Sequence, residues 1–223
     1  MGVKKYRFEK SKFGCNGDMK LIKTINTANN IIYIYKINNK LFAFKPSENT
    51  EREILANKLA RLFRIKTLKI KPFEIDNKKG IIMNYLKEGI LLTNYSKELN
   101  IYQIKQLKRI ILFDIWIGNK DRHTGNIFVS NNLTIFDHEN IFNKDNARKS
   151  IKLDIGRRLN KNYVEIIEKI LDKNLTVVQV LKKLGFTKKD FINLEEKDVR
   201  KIVKNKDFCE FLVSRMDFSK IKF

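Results

Sequence analysis

The stretch that decides the fold of this 223-residue chain is FDIWIGNKDRHTGN, residues 113–126. It begins inside a pattern from about Tyr102 to Ile117, where apolar residues recur at helical spacing. Two short apolar runs follow at Ile127–Ser130 and Leu133–Phe136, and the two asparagines between them favour a tight hairpin turn. Asp137 comes directly after the second run. The sequence therefore places polar side chains where a helix gives way to a small hairpin.

Asp121, Asn126 and Asp137 carry the oxygen atoms that phosphoryl transfer requires. Transfer from ATP needs a carboxylate that receives or orients the acceptor hydroxyl, and oxygen ligands that hold magnesium against the phosphates. Four residues separate Asp121 from Asn126, so a tight loop can present the carboxylate to the acceptor and the amide oxygen to a metal. Taken singly, both are common turn residues. Their order with Asp137 and with Lys45 upstream favours the catalytic interpretation.

Three more side chains near this loop have two interpretations each. His123, which we group with Asp121 as a candidate catalytic residue, either contacts the transferring phosphate or braces the loop through a backbone hydrogen bond. The sequence leaves both roles open. For His138 the structural role is favoured. Asp114, on the helix just before the loop, is predicted to anchor the loop rather than touch substrate.

Upstream residues form a candidate nucleotide site. A glycine-punctuated loop can bring backbone N–H groups close to phosphates. Its candidate nucleotide-binding residues are Gly14, Asn16 and Gly17. Lys45, at the end of a predicted strand, can reach the α- and β-phosphates. Glu53 on the next helix is our choice to hold Lys45 in place, and Glu51 is the alternative.

The first part of the chain is predicted to be a sheet of about five strands that carries one helix. The strand segments are rich in β-branched and aromatic residues, and Asn38-Asn39 suits a tight turn between two of them. The predicted strands are Lys4–Ser11, Ile31–Ile37, Lys40–Lys45, Ile65–Phe73 and Lys79–Tyr85. The helix is predicted from about Thr50 to Phe63, after Pro46.

The character of the chain changes to helical after residue 86, which predicts an ATP-binding lobe over 1–86 and a catalytic, mostly helical lobe over 87–223. The segment that joins them can give adenine its backbone hydrogen bonds, with Met83 and Tyr85 as the candidates. Further helical patterns are Tyr163–Leu171, Val177–Leu184, Lys197–Val203 and Phe208–Met216.

At these motifs the sequence resembles the phosphatidylinositol-kinase-like branch of the protein-kinase superfamily, and within it the HipA-like Ser/Thr kinases. FDIWIGNKDRHTGN is similar to that branch's catalytic loop, and IFDHEN, residues 135–140, to its metal-binding segment. FGCNGDMK, FAFKP and EREILANKLARLF are similar to its phosphate loop, ATP-binding strand and ion-pair helix. The glycine loop alone would be a weak signal.

The resemblance implies an α+β, two-lobed protein-kinase-like fold with an N-terminal antiparallel sheet. It implies that Asp121 is the catalytic base, that Asn126 and Asp137 bind magnesium, and that Lys45 pairs with Glu53. The expected cofactors are ATP and Mg²⁺, and the expected partner is a protein substrate with Ser or Thr. The alternatives are a lipid or small-molecule kinase and a non-catalytic basic binding module.

The formal net charge of +22 is large enough to attract nucleic acid, anionic lipid or an acidic protein. The lysines are dispersed along the whole chain, however, so a compositional bias is favoured over a dedicated nucleic-acid surface. The two cysteines and two histidines leave oxygen ligands for any metal. Because no transmembrane or signal segment is recognised, we expect a cytoplasmic protein.

Overall fold

A computed structural model of the chain describes residues 5–7, 18–27, 30–86, 89–119, 121–142 and 194–214. The chain divides into two compact units. The first comprises Met1–Ile54 and Leu68–Lys87, and the second comprises Leu55–Thr67 and Glu88–Phe223. The predicted lobes of 1–86 and 87–223 stay a prediction, and residues 55–67 group with the second unit.

The first unit contains an antiparallel sheet of six strands in the order β1-β2-β3-β4-β7-β6. Its strands are β1 (Lys5–Arg7), β2 (Asp18–Asn26), β3 (Ile31–Ile37), β4 (Lys40–Pro46), β6 (Ile70–Ile75) and β7 (Lys78–Asn84). Helix α1 (Thr50–Leu62) follows β4. One face of the sheet carries the core of this unit. The core residues are Met19, Tyr35, Ile37, Phe42, Phe44, Ile75 and Ile82.

Tight turns and one close approach fix the register of this sheet. Asn38 and Asn39 both have positive φ angles, 46° and 63°, as the predicted β3–β4 hairpin requires. Asp76 and Asn77 turn β6 into β7 in the same way, with φ angles of 50° and 60°. Gly80 lies opposite Pro46, where a Cβ atom would overlap the carbonyl oxygen of Lys45. A glycine at this position therefore lets β4 and β7 pair at the end that carries Lys45.

Before residue 86, the strand prediction fails at two places. The sequence prediction omits β2, because a register irregularity between Leu21 and Lys23 breaks the alternation that marks a strand. The prediction of one strand over Ile65–Phe73 is wrong, because the segment forms two strands. β5 (Lys66–Thr67) pairs in parallel with a strand of the second unit, whereas β6 pairs with β7.

The second unit combines helices with a four-stranded sheet in the order β5-β10-β9-β8. Its other strands and its helices are β8 (Ile90–Leu91), α2 (Ile101–Ile117), β9 (Ile127–Val129), β10 (Leu133–Ile135), α3 (Glu196–Ile202) and α4 (Lys206–Val213). Phe113 and Trp116 of α2 are fully buried, and both pack against Phe63 with ring centroids 5.3 and 5.1 Å away. The indole N–H of Trp116 donates to the carbonyl oxygen of Leu212, 3.1 Å away, and so ties α4 to α2.

The α+β class and the N-terminal antiparallel sheet with one helix are confirmed. α3 and α4 fall on the predicted helical patterns Lys197–Val203 and Phe208–Met216, whereas Tyr163–Leu171 and Val177–Leu184 lie outside the described residues. Among the helices that the structure describes, none combines the length and apolar character that a membrane crossing requires.

Candidate active site

The end of α2 begins the candidate catalytic loop. Gly118 has a φ angle of 64°, the left-handed conformation that commonly ends a helix. The Asn119 side chain donates to Asp114 Oδ1 at 2.8 Å and accepts from the backbone N–H of Asp121 at 3.0 Å. Asp114, buried on the last turns of α2, thus anchors the loop, as the sequence predicts.

Arg122 organises the loop from inside. Its guanidinium is 1% exposed and binds both carboxylate oxygens of Asp114, with Nε–Oδ2 at 2.9 Å and Nη2–Oδ1 at 3.2 Å. Nη1 donates to the carbonyl oxygens of Phe136 at 2.7 Å and of Asn126 at 3.4 Å. Nη2 also lies 2.7 Å from His138 Nδ1. The sequence reasoning assigned Arg122 no role, and two of its acceptor residues, Phe136 and His138, become its neighbours only once the hairpin has formed.

Asp114 and Arg122 form a buried ion pair. Burial raises the pKa of the Asp114 carboxyl above its ordinary value of 3.8, and the charge and hydrogen bonds of Arg122 act in the opposite direction. Two nitrogen donors of Arg122 and one of Asn119 nevertheless face this carboxylate. The anchor therefore depends on a fork geometry that matches two oxygens at once.

Asp121 is half-buried and is held at several points. Its backbone N–H binds Asn119, and its carbonyl oxygen accepts from Asn126 Nδ2 at 3.2 Å. Asn140 Nδ2 donates to the carboxylate oxygen Oδ2 at 3.3 Å. The carboxylate is therefore oriented by a residue that the sequence reasoning missed. The only indication of Asn140 in the sequence was its side-chain amide, three residues after Asp137.

The two histidines have structural contacts. His123 Nδ1 accepts from the backbone N–H of Gly125 at 3.0 Å, which caps the single 3₁₀ turn Thr124–Asn126. This is the bracing role that the sequence left open. A Cβ atom at Gly125 would lie 2.8 Å from the His123 ring, so the contact requires glycine. His138 is 1% exposed, and its Nδ1 must accept from Arg122 because a guanidinium only donates.

Oxygen donors suited to a magnesium ion lie on both sides of the hairpin. Asn126 is buried and its Nδ2 is engaged with Asp121, which turns the amide oxygen away from that contact. Asp137 has a φ angle of 61°, a left-handed conformation that is uncommon outside glycine and is concentrated at functional sites. Carboxylate oxygens of Asp137 and Glu139 lie within 4.8 Å of each other. These carboxylate and amide oxygens are the ligand types that Mg²⁺ prefers, so the donor set fits this ion.

The first unit holds the candidate phosphate-binding lysine. Lys45 Nζ lies 3.6 Å from Glu53 Oε2, and both side chains are buried. The ion pair that the sequence predicted is therefore present, and it is formed by Glu53, whereas Glu51 is exposed. The binding of nucleotide by either residue stays a prediction.

The remaining candidates for nucleotide binding lie in β7, directly after it, and in the glycine-punctuated loop. Met83 is buried in β7, and the backbone N–H of Tyr85 donates to the carbonyl oxygen of Leu41 at 3.0 Å. The Tyr85 amide is thus already used within the sheet. Gly14, Asn16 and Gly17 lie outside the described residues.

An antiparallel sheet with a buried Lys–Glu pair, and a loop of carboxylate and amide oxygens, are features of kinase-like phosphotransferases. The sequence model of the phosphatidylinositol 3- and 4-kinase family matches residues 16–190, which is most of the chain, and the chain belongs to this family. The family implies ATP, and with it Mg²⁺, as cofactors. No curated protein matches the chain in sequence.

Among solved structures, the chain is similar to the crystal structure of a Helicobacter pylori proinflammatory kinase, CtkA. The identity is 15% over 89% of this chain and 93% of that chain, and the TM-score is 0.45.

Proposed function

We propose that this protein is an ATP- and Mg²⁺-dependent kinase that phosphorylates Ser or Thr hydroxyls of proteins, as the HipA-like kinases do. The observation that carries the phosphotransferase assignment is the fixation of Asp121. Its backbone is held by Asn119 and Asn126, and its carboxylate by Asn140. A carboxylate oriented in this way, in a half-buried loop, suits a group that must meet an acceptor hydroxyl in one defined position.

Asp121 would act as the catalytic base. It would accept a hydrogen bond from the acceptor hydroxyl and orient its oxygen towards the γ-phosphorus. It would take the proton as the new oxygen–phosphorus bond forms and the bond between the γ-phosphorus and the departing ADP breaks. Asn140 would keep one carboxylate oxygen occupied and thereby decide which oxygen faces the hydroxyl. General-base assistance of this kind contributes roughly 10² to 10⁴-fold to a rate.

Asn126 and Asp137 would hold Mg²⁺, and Glu139 is a further candidate ligand. When bound, the ion neutralises charge that develops on the β- and γ-phosphate oxygens. Lys45 would bind the α- and β-phosphates, with Glu53 keeping its ammonium in position. His123 is assigned to bracing the loop, because its Nδ1 accepts from Gly125, and a contact to phosphate would have to use its other ring nitrogen.

A lipid or small-molecule kinase is the second candidate. The family to which the chain belongs takes its name from kinases of phosphatidylinositol, and a net charge of +22 would draw an anionic acceptor towards the protein. The resemblance of the catalytic loop to HipA-like kinases supports the protein acceptor. The two proposals differ only in the molecule that receives the phosphate.

An acceptor panel distinguishes them. The purified protein is incubated with Mg²⁺ and γ-³²P-labelled ATP, together with either a Ser/Thr peptide mixture, phosphatidylinositol vesicles or free inositol. Asp121→Asn is run in parallel, so that label from a contaminating kinase is recognised. We expect label in Ser or Thr of peptide or of the protein itself. Label confined to the inositol lipid or to inositol would overturn the protein-kinase proposal and establish the second candidate.

A further inference from the structure

The guanidinium of Arg122 is saturated with hydrogen bonds. A guanidinium has five N–H donors and no acceptor. Arg122 directs them at five acceptors, which are two oxygens of Asp114, the carbonyl oxygens of Asn126 and Phe136, and His138 Nδ1. Only 1% of the residue is exposed, so water contributes little to its solvation. This buried cation is thus solvated by the protein alone.

The acceptors belong to three different segments of the second unit. Asp114 is part of α2, Asn126 closes the catalytic loop, and Phe136 and His138 flank Asp137. Asn126 and Asp137 are the two residues assigned to Mg²⁺. Arg122 donates to the backbone carbonyl of the first and to the residues on either side of the second. None of these hydrogen bonds involves the side chain of Asn126 or of Asp137.

We propose that Arg122 is a positioning residue for the metal site, which sets the spacing between Asn126 and Asp137 by binding the chain around both and anchoring it to α2. The proposal rests on the proposed function, because it needs these two residues to be the metal ligands. Residues that orient metal ligands in this way typically contribute 10- to 100-fold to metal affinity or activity.

Lysine cannot replace Arg122 in this role. An ammonium has three N–H donors from one atom, whereas the guanidinium has five in a planar fork. A lysine at this position keeps the charge opposite Asp114 but leaves at least two of the five acceptors without their donor. The substitution therefore separates the geometry of the fork from its charge.

The test compares Arg122→Lys with wild type and with Arg200→Lys as a matched control. Arg200 is an exposed arginine that pairs with Glu196 on α3, and its replacement should change nothing. Mn²⁺ binding to the protein–ADP complex is measured by electron paramagnetic resonance, and ADP binding without metal is measured separately. Circular dichroism and thermal melting report whether each variant is folded.

We expect folded Arg122→Lys to bind Mn²⁺ roughly 10- to 100-fold more weakly than wild type, with metal-free ADP affinity unchanged. Equal Mn²⁺ affinities, or an equal loss of both affinities, would overturn the proposal. If Arg122→Lys does not fold, the Mn²⁺ affinities of His138→Ala and His138→Gln test the proposal instead. Glutamine keeps an acceptor for Nη2 and alanine does not, so we expect weaker Mn²⁺ binding only in His138→Ala. Equal Mn²⁺ affinities of these two variants would contradict the proposal.

The Mn²⁺ affinities, taken together with the phosphate-transfer assay of the acceptor panel, separate this inference from the proposed function. A wild-type protein that binds Mn²⁺ with ADP but transfers no phosphate contradicts the kinase assignment and leaves the positioning role to be judged by the Mn²⁺ affinities. A wild-type protein that transfers phosphate while Arg122→Lys binds Mn²⁺ as tightly contradicts only the positioning role. A wild-type protein that binds neither Mn²⁺ nor ADP contradicts both the kinase assignment and the positioning role.

Discussion

Two buried ion pairs in the part of the chain that the structure describes differ in construction. In the first unit, Lys45 Nζ and Glu53 Oε2 lie 3.6 Å apart, which is longer than a charge-assisted hydrogen bond. In the second unit, Asp114 and Arg122 meet through two contacts, at 2.9 and 3.2 Å, and Arg122 has three further acceptors. The distance between the charged groups is thus longer in the first pair than either contact of the second pair.

The difference fits the two proposed roles. In the proposed function, Lys45 has to meet a phosphate that arrives with the nucleotide, and an ammonium at a longer distance from its carboxylate can reorient towards that phosphate. In the proposed positioning role, Arg122 has to keep two chain segments at a constant spacing. The longer ion pair therefore contains the cation proposed to bind phosphate, and the two-oxygen fork contains the cation proposed to position the chain.

Of the changes to the two ion pairs, Lys45→Met combined with Glu53→Gln is expected to have the largest effect on activity. The double change removes the charge that is proposed to bind phosphate, without leaving a buried carboxylate uncompensated, so the protein should fold. We expect phosphate transfer to fall about 10² to 10³-fold, the usual loss when a group that stabilises transferring charge is removed. Initial rates with labelled ATP measure it. Lys58→Met, at an exposed position of α1, is the control, and a double variant as active as this control would contradict the assignment of Lys45.

The two pairs should also differ in stability. Asp114→Ala leaves the saturated guanidinium without its counter-ion, and we expect a loss of about 3 to 5 kcal/mol in the free energy of unfolding. Glu53→Ala should lose less, because the 3.6 Å between Lys45 Nζ and Glu53 Oε2 is longer than either contact of Asp114 with Arg122. Urea unfolding of both variants gives the comparison, with the exposed Glu196→Ala as a control that changes stability by less than about 1 kcal/mol. A larger loss for Glu53→Ala would reverse the comparison.

Asn140→Ala tests the orientation of the Asp121 carboxylate, the proposed catalytic base. Without its donor to Oδ2, Asp121 should sample more rotamers, and we expect kcat to fall by about tenfold with little change in KM for ATP, since the lost contact acts only on the acceptor side. Steady-state kinetics at saturating ATP measure both constants. An unchanged kcat would show that Asn140 does not position Asp121.

The smallest effect is a pH dependence of stability. The folded-state pKa of Asp114 is raised by burial above 3.8, so the folded protein binds a proton there more tightly than the unfolded chain does. The stability from this group is thus complete below 3.8 and declines as pH rises through the raised pKa. We expect the unfolding free energy of wild type minus that of Asp114→Asn to fall as pH rises through the raised pKa. A difference that grows with pH would contradict the direction of the shift.

Local patterns predicted the parts of the site that lie close together in sequence. Asp121 and Asn126 share one loop, so their spacing was informative. Lys45 and Glu53 lie at the end of a strand and in the first turns of the next helix, and Glu53 was chosen for the helix face on which it lies. The contacts of Arg122 with Phe136 and of Asn140 with Asp121 were not predictable, because they form only when the β9–β10 hairpin returns the chain to the loop.

The same reasoning explains the errors in the strands. β5 pairs with β10, whose register places Thr134 opposite Lys66, and no local pattern records a partner that far along the chain. β2 has an irregularity between Leu21 and Lys23 that shifts its alternation. Long-range pairing and bulges therefore limited the prediction of the fold, whereas turn chemistry at Asn38 and Asn39 was read correctly.

The measurement that tests the central claim most directly is phosphate transfer by Asp121→Asn, followed by intact-mass spectrometry and accompanied by nucleotide binding. Asparagine keeps the shape of the side chain but cannot take a proton. We expect the variant to fold, to bind ATP with Mg²⁺ as wild type does, and to transfer no detectable phosphate while wild type does. Transfer by Asp121→Asn at the wild-type rate would contradict the account.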